Sequence, residues 1–410
     1  MALFLCIGAS ALEAAEMRVP VMQKPPTLDG KVAPEEWKVS ASFAGFQWKG
    51  SVQRRPARGY VGATSDHIYV AIVSRLPDEG HLKTDVTRNS LKVAHDDSLE
   101  VYVNPTPDAA ERVDYQFLAN SAGKFGYNIH KIGQPDEKVS WRGGWKQAHG
   151  FHDGWWHFEC AIPVDSMNTA EPDRSTTDGV WSINLTRNWK NPWQWSSLTG
   201  GYAQSGLRFR FVEQGAPAVH FSFEQDAFLP PFSCKLRVHN PSERRMNLNS
   251  MLALDRAEMP ALRSSKELRL DPGESRSMSL DIPKNDPTTH YELQMRVTAQ
   301  DSEAVFYDRA LSWKRADEPY RWAVGTRQKP PLDFRFAYYP GQDKMRILAD
   351  VRGLPEDAGL ERVIGIVRTA VKKEEVKTVQ CPAAGFEDGL CEREFDLPPL
   401  DGQYQIALKA

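Results

Sequence analysis

The feature that most constrains the fold of this chain is a series of short segments in which apolar and polar residues alternate, separated by turn-forming residues. Between Asp66 and Val73 every second residue is a large aliphatic one, and the segment from Leu99 to Val103 repeats the pattern. A period of two places such residues on one face of a β-strand. Long stretches with the period of an amphipathic helix are hard to find. The pattern therefore predicts an all-β protein built from antiparallel β-sandwiches.

The length and the distribution of tryptophan predict how these sandwiches are divided. A chain of 410 residues has room for about two to four domains, and ten of its 12 tryptophans lie between Trp37 and Trp195. We predict a first sandwich over residues 17–215, an immunoglobulin- or fibronectin-like domain over 216–316 and a second immunoglobulin-like domain over 317–410. The chain stops in or just after a predicted strand, so we expect a fragment of a longer protein.

The N-terminus and the overall charge predict where the protein works. Residues 1–16 contain an apolar run followed by small residues, as in a truncated secretory signal. We therefore expect a secreted, periplasmic or cell-surface protein. The run is too short to cross a bilayer, and no later segment is long and apolar enough for a membrane helix. Lys and Arg number 51 against 54 acidic residues, so no basic excess favours nucleic acid. We expect a monomer.

Two of the five cysteines form a candidate pair. Cys381 and Cys391 lie in two predicted strands, Val376 to Cys381 and Leu390 to Leu397, which Pro382 to Gly389 would join as a hairpin. The thiols would then face each other across the hairpin. In an oxidising compartment a disulfide and two free thiols are both open alternatives.

Six short motifs follow one another in the first half of the chain. They are Leu28-Asp29-Gly30 with Trp37, Asp66 to Val73, Asp96 to Val101, Tyr115-Gln116-Phe117 with Asn120 and Gly123, Gly154 to Pro163, and Asn184 to Arg187 with Trp195-Ser196. In this order they resemble family 9 carbohydrate-binding modules, which accompany bacterial xylanases and other polysaccharide-degrading enzymes. The resemblance covers about residues 20–213. It implies an antiparallel β-sandwich, often with structural calcium, that binds the ends of glucan, xylan or related chains.

The resemblance also implies binding residues. Glu100 matches a glutamate that accepts hydrogen bonds from sugar hydroxyls, and Asp97, Gln116 and Asn120 match polar positions of the same region. The known site of the family clamps a sugar between two tryptophans. The candidates for the later one are Trp189, Trp193 and Trp195, with Tyr202 as a competitor.

Two positions depart from the family pattern. Ala94 stands where the first clamping tryptophan is expected, and Leu118 stands where an arginine is expected. The fold is therefore better supported than the ligand, and either the specificity has changed or the module binds little sugar.

Metal and cofactor chemistry has few candidates. Asp78-Glu79 and Asp96-Asp97 offer the oxygen ligands that calcium prefers, although solvated loops have the same composition. His149, His152 and His157 cluster in sequence near Gly154 without a carboxylate or cysteine at zinc-ligand spacing. We expect no organic cofactor.

The sequence thus predicts non-covalent carbohydrate binding by an accessory part of an exported polysaccharide-degrading protein. Glycoside hydrolysis needs two carboxyl groups about 5–10 Å apart, and neighbouring acids on a strand point to opposite faces. We predict no catalytic residue, and any glycoside hydrolase activity would belong to a downstream domain. The alternatives are a structural spacer that binds no sugar and a haem-binding electron-transfer sandwich with Met167 and a histidine as ligands.

Overall fold

The computed structural model describes most of the chain and confirms the predicted all-β class. The described residues are 16–76, 82–109, 112–131, 141–167, 176–190, 193–201, 206–257, 259–317, 333–339, 343–352, 354, 359–369, 374–387, 389–397 and 404–409. Within these ranges the chain forms β-strands and short 3-10 helices but no α-helix. No helix of the described residues has the length and apolar character needed to cross a bilayer. The chain divides into two compact units, residues 1–322 and 323–410.

The first unit contains 21 of the strands found in the described ranges. They are β1 (Glu16–Pro20), β2 (Ala41–Ala44), β3 (Gln47–Trp48), β4 (Ser51–Val52), β5 (Ala57–Ala63), β6 (His67–Arg75), β7 (Ser98–Asn104), β8 (Val113–Asn120), β9 (Phe125–Lys131), β10 (Lys146–His152), β11 (Trp155–Pro163), β12 (Val180–Lys190), β13 (Trp193–Ser197), β14 (Leu207–Val212), β15 (Ala218–Glu224), β16 (Phe232–His239), β17 (Met246–Arg256), β18 (Met259–Leu270), β19 (Ser275–Ile282), β20 (His290–Ala299) and β21 (Val305–Lys314). The 3-10 helices Leu91–His95 and Val164–Met167 connect some of them.

Two extended sheets run through this unit and enclose its core. The first has the order β18-β17-β20-β21-β1-β14-β12-β13-β3-β4, and β7, β8 and β9 continue it from β12. The second has the order β10-β11-β6-β5-β2-β15-β16-β19. Leu99, Val101 and Val103 face the core between them, as the alternation of the sequence predicts.

The predicted boundary at residue 215 does not separate compact units. β1 pairs in parallel with both β14 and β21, and β2 pairs with β15. The rings of Phe43 and Tyr307 stack at 5.3 Å. The segments 17–215 and 216–316 therefore share sheets and core, because strands at the edge of one segment pair with strands of the other. Such pairing also satisfies backbone groups that an edge strand leaves open.

The motif Leu28-Asp29-Gly30 with Trp37 packs on the face of the second sheet that points away from the main core, where Trp37 and Leu28 contact Tyr60 and Tyr69 in a second apolar cluster. Buried Glu159 accepts hydrogen bonds from Gly30 N and Trp37 Nε1, both at 3.0 Å. Gly30 has φ +84°, and a Cβ there would lie 2.5 Å from the carbonyl carbon of His149. A glycine is thus required by both the turn and the close approach of β10. The motif has a structural role in this chain.

Glu159 is expected to make the free energy of unfolding depend on pH. Burial raises the pKa of this carboxyl above its ordinary 4.5, although its hydrogen bonds from Trp37 and Gly30 act in the opposite direction. Because the folded state binds the proton more tightly, the stability that this carboxyl contributes is fully present below pH 4.5 and is lost as the pH rises through the raised pKa. Glu159→Gln should remove this loss, so that stability relative to the parent protein increases from pH 4 to pH 7. Urea unfolding at several pH values measures it, and a difference independent of pH would contradict the expectation.

The second unit is a smaller sandwich. Its described strands are β22 (Asp333–Tyr339), β23 (Lys344–Asp350), β24 (Arg362–Thr369), β25 (Glu375–Pro382), β26 (Leu390–Asp396) and β27 (Tyr404–Lys409). They form the sheets β22-β23-β26 and β25-β24-β27. Met345 and Ile347 of one sheet pack with Val367 of the other. The predicted start of this domain at 317 lies close to the observed division at 322/323.

The predicted hairpin around Cys381 and Cys391 was wrong. β25 and β26 belong to different sheets, and the 3-10 turn Ala383–Gly385 carries the chain from one to the other. Cys381 and Cys391 are free, buried thiols of one small core cluster. Burial and the neighbouring Cys391 raise the pKa of Cys381 to about 11. The two residues do come together, but between sheets, and the disulfide stays a prediction.

Candidate functional site

The predicted site residues lie on strands that run side by side in the order β9-β8-β7-β12-β13. Directly opposed residues of antiparallel strands share a face. Tyr102 is opposite both Gln116 and Asn184, and Asn188 is opposite both Ser98 and Trp195. These side chains lie on the face away from Leu99 and Val101, which we call the polar face.

Glu100 lies at the centre of a hydrogen-bond network on the polar face. Its Oε2 accepts from the Tyr102 hydroxyl at 2.5 Å and from Gln116 Nε2 at 2.8 Å, and its Oε1 accepts from Asn188 Nδ2. Gln116 Oε1 is 2.8 Å from Nε2 of His130, so this nitrogen must carry the proton. Glu100 is only 5 % exposed. The network joins four strands and places Glu100 at its base.

Asp97 faces a buried arginine. Its Oδ1 is 3.3 Å from a terminal nitrogen of Arg187, and its Oδ2 accepts from Lys83 N at 2.8 Å. The Arg187 guanidinium is fully buried and lies 3.7 Å from the ring centre of Trp189. Burial lowers the pKa of Arg187 to about 10, and Asp97 opposes this shift. Asp97 therefore neutralises a charge inside the protein.

Asp96 and Asn120 organise the neighbouring loops. Asp96 accepts from the backbone N–H groups of Asp85 and Val86 at 2.9 and 3.0 Å and from Asn120 Nδ2 at 2.8 Å. Asn120 Oδ1 accepts from two N–H groups of the following turn. Hydrogen-bond donors thus surround the Asp96 carboxylate, and protein groups satisfy both the oxygen and the nitrogen of the Asn120 amide.

These donors do not suit calcium. N–H groups and a guanidinium face the oxygens of Asp96 and Asp97, where a calcium ion would require oxygen ligands. The described part of the chain contains no group of three or more His, Cys, Asp or Glu residues placed to hold a metal ion. The other predicted calcium loop, Asp78-Glu79, lies outside the described residues.

The candidates for histidine or haem chemistry also have structural contacts. His157 Nδ1 accepts from Val32 N at 3.1 Å, and His152 Nε2 is 3.1 Å from Gly30 O. Burial lowers the pKa of His149 and of His157. Met167 is 2 % exposed and belongs to the core.

The three candidate tryptophans have different positions. Trp189 lies on the core side of β12, is 1 % exposed and has the Arg187 guanidinium against its ring, so it packs the interior. Trp195 is 4 % exposed and meets Trp48 edge-on at 4.9 Å. Trp193 is 61 % exposed, the highest value among the large apolar side chains of the described residues, and its ring is 6.3 Å from that of Trp48. Tyr202 lies outside the described residues.

The two residues that depart from the family pattern, Ala94 and Leu118, lie on different elements. Ala94 is half-buried in the 3-10 helix Leu91–His95. Leu118 is opposite Glu100 and is 1 % exposed. It packs closely against Gly126, because a Cβ placed at Gly126 would lie 2.5 Å from Leu118 Cδ1. Leu118 is therefore a covered apolar residue within the polar face.

Sequence reasoning missed several residues of this surface. Tyr102 and His130 belong to the Glu100 network, and Trp48 contacts both Trp193 and Trp195. The alternation along β7 could have identified Tyr102, because it lies two residues from Glu100. Lys190 is opposite Trp193, and burial lowers its pKa while Glu100 and Asp97 oppose the shift. Trp48 had no local signal, since only the tertiary structure brings β3 to β13.

Comparisons with known proteins yield structural similarities at low sequence identity. No family model matches the chain, and no curated protein matches it. A Bacteroides uniformis protein to which carbohydrate binding has been assigned covers 49 % of this chain and 100 % of its own, at 14 % identity and TM-score 0.39. A family 9 carbohydrate-binding module from Caldicellulosiruptor kristjanssonii in complex with cellotriose covers 48 % and 95 %, at 10 % identity and TM-score 0.34. The module from the same organism in complex with glucose covers 48 % and 97 %, at 12 % identity and TM-score 0.34. Family 9 modules, the family that the sequence motifs resemble, are thus among the solved structures similar to this chain.

Proposed function

We propose that the first unit binds carbohydrate non-covalently at the polar face and at the tryptophan rim beside it, which consists of Trp48, Trp193 and Trp195. The observation that carries the proposal is Trp193, a 61 % exposed indole held edge-on against Trp48. An exposed ring supported by a second ring offers a flat apolar surface to the C–H face of a sugar. Lys190, opposite Trp193, and the Glu100 network offer polar groups for hydroxyls beside it.

The geometry divides the work between two kinds of residue. Trp193 is exposed and Lys190 is half-buried, so both can touch a ligand. Glu100 is nearly covered and already accepts three hydrogen bonds, so it positions Tyr102, Gln116 and Asn188. We infer that binding strength depends mainly on the tryptophan rim and that the network fixes the shape of the surface beneath it.

The cellular setting is a second part of the proposal. Residues 1–16 resemble a truncated secretory signal, and we propose that the module is an accessory part of an exported polysaccharide-degrading protein. Carbohydrate binding and export are independent claims. Detection of the mature protein outside the cytoplasm would test the second one alone.

Trp193→Ala is expected to weaken glycan binding by about 30-fold. Removing a central aromatic from a binding surface costs about 2 kcal/mol or more, which corresponds to this factor. Isothermal titration with soluble xylan, β-glucan and cello-oligosaccharides measures the affinity of the full chain. The matched control is Phe151→Ala, since Phe151 is 52 % exposed but lies on β10 of the other sheet. Equal losses in both variants would contradict the proposed surface, and silence of the parent protein toward every glycan would favour the spacer alternative.

A further inference from the structure

A large cavity opens beside the hairpin β3–β4, in the first unit. Its volume is about 820 Å³, within the range of small-molecule sites. The hairpin supplies Lys49 to Val52, the ends of β20 and β21 supply His290 and Lys314, and Phe228 forms part of the wall. Ala316 N donates to Phe228 O at 3.0 Å, which ties the segment after β21 to this wall.

The charges that line the cavity are strongly unbalanced. Lys49, Arg54, Lys314 and Arg315 line it together with His290, whereas the acidic lining is Asp317 alone. Lys49 and Lys314 form no ion pair with any described residue. His290 is opposite Lys314 in the ladder and lies 3.1 Å from Ser312 Oγ. Cationic groups from separate segments thus converge on one space, although the whole chain has a net charge of −3.

The cavity adjoins the tryptophan rim. Lys49 Nζ lies 5.5 Å from the ring centre of Trp48, and Trp48 contacts both Trp193 and Trp195. Gln194 Nε2 donates a hydrogen bond to Gln53 Oε1 at 2.5 Å, and Gln53 directly precedes Arg54. One hairpin and the residues next to it therefore contribute to both the aromatic surface and the cationic cavity.

We propose that this cavity selects an acidic glycan, whose carboxylate or sulfate groups enter it while a sugar ring lies on Trp193. The inference rests on the proposed carbohydrate-binding function and names its substrate class. Ammonium and guanidinium groups form their strongest hydrogen bonds with such anions. A neutral chain would leave the ammonium groups of Lys49 and Lys314 beside the bound ligand without an anionic partner from it. Repeated carboxylates or sulfates along a chain can meet several of them at once.

The test compares charged and neutral forms of the same polymer. Polygalacturonate and its methyl ester form one pair, and dextran sulfate and dextran form the other, each titrated into the full chain at 20 and 150 mM NaCl. We expect one charged member to bind at least tenfold more tightly than its neutral form, with an affinity that falls as salt increases. Which pair shows the preference distinguishes carboxylate from sulfate.

Two double variants locate the effect. Lys49→Gln with Lys314→Gln should weaken binding of the charged polymer at least tenfold and leave neutral binding unchanged. Lys266→Gln with Arg269→Gln removes the same charge from exposed positions of β18, away from the cavity, and should have little effect. Equal losses in both variants, or equal binding of charged and neutral polymers, would overturn the inference. If charged and neutral polymers bound equally and Trp193→Ala weakened the binding of both, the proposed carbohydrate-binding function would stand and the preference for acidic glycans would be rejected. If the parent protein bound no polymer, the proposed function and the preference would both be rejected.

Discussion

Replacing Asp97 by alanine is expected to destabilise the first unit by about 3–5 kcal/mol. The substitution leaves the guanidinium of Arg187 buried without its carboxylate, against the rings of Trp156 and Trp189. Its other acceptors are neutral, including Ser74 Oγ at 3.2 Å. A buried charge that loses its partner carries a desolvation cost that neutral acceptors do not offset. The variant also loses the acceptor that holds Lys83 N.

The matched control for Asp97→Ala is Asp108→Ala. Asp108 forms a two-point ion pair with Arg208 at 2.8 Å, which is better geometry than the 3.3 Å contact of Asp97. Its side chain is 61 % exposed, so we expect a loss below about 1 kcal/mol. The comparison separates the effect of burial from the effect of contact distance.

Urea unfolding followed by tryptophan fluorescence measures both variants. Eleven of the 12 tryptophans are described residues of the first unit, so the signal reports mainly that unit. The double variant Asp97→Ala, Arg187→Met should be more stable than Asp97→Ala alone, because it removes the unpaired charge. Equal losses for Asp97→Ala and Asp108→Ala would show that the buried pair has no special role.

Replacing Glu100 by alanine is expected to cost about 3 kcal/mol of stability. Three donors, from Tyr102, Gln116 and Asn188, would lose the acceptor that they share. An unsatisfied buried donor costs about 1–3 kcal/mol, and water entering from the open rim of the polar face reduces the total. The carboxylate is therefore important for the fold as well as for the proposed surface.

Glu100→Gln separates these two roles. Its amide oxygen can still accept from Tyr102 and Gln116, and Asn188 can rotate its amide to accept from the new NH₂ group, so we expect a stability loss of about 1 kcal/mol. Glycan affinity should change less than in Trp193→Ala, because Glu100 positions other residues. A larger affinity loss in Glu100→Gln than in Trp193→Ala, with stability retained, would instead make Glu100 a direct ligand contact.

The candidate site was predicted in part from the sequence. Glu100 and Gln116 do come together, as the motif order implied. Asp97 and Asn120 belong to the same motifs, and Trp189 was a candidate for the later clamping tryptophan, but all three make internal contacts. A motif records which residues recur at a position, and it contains no information on whether a side chain's polar atoms are already satisfied by the protein itself. The cationic cavity had no sequence signal, because Lys49 and Lys314 lie far apart in the chain.

The sequence by itself determined the all-β class and the face of each central strand, because alternation acts over a few residues and a strand has only two faces. The tertiary structure decided that segments 17–215 and 216–316 share sheets, that Cys381 and Cys391 meet between sheets, and that Trp193 rather than Trp195 reaches solvent. These outcomes depend on pairing between distant strands. Local patterning is compatible with many such pairings, and the packing of the whole core selects one of them.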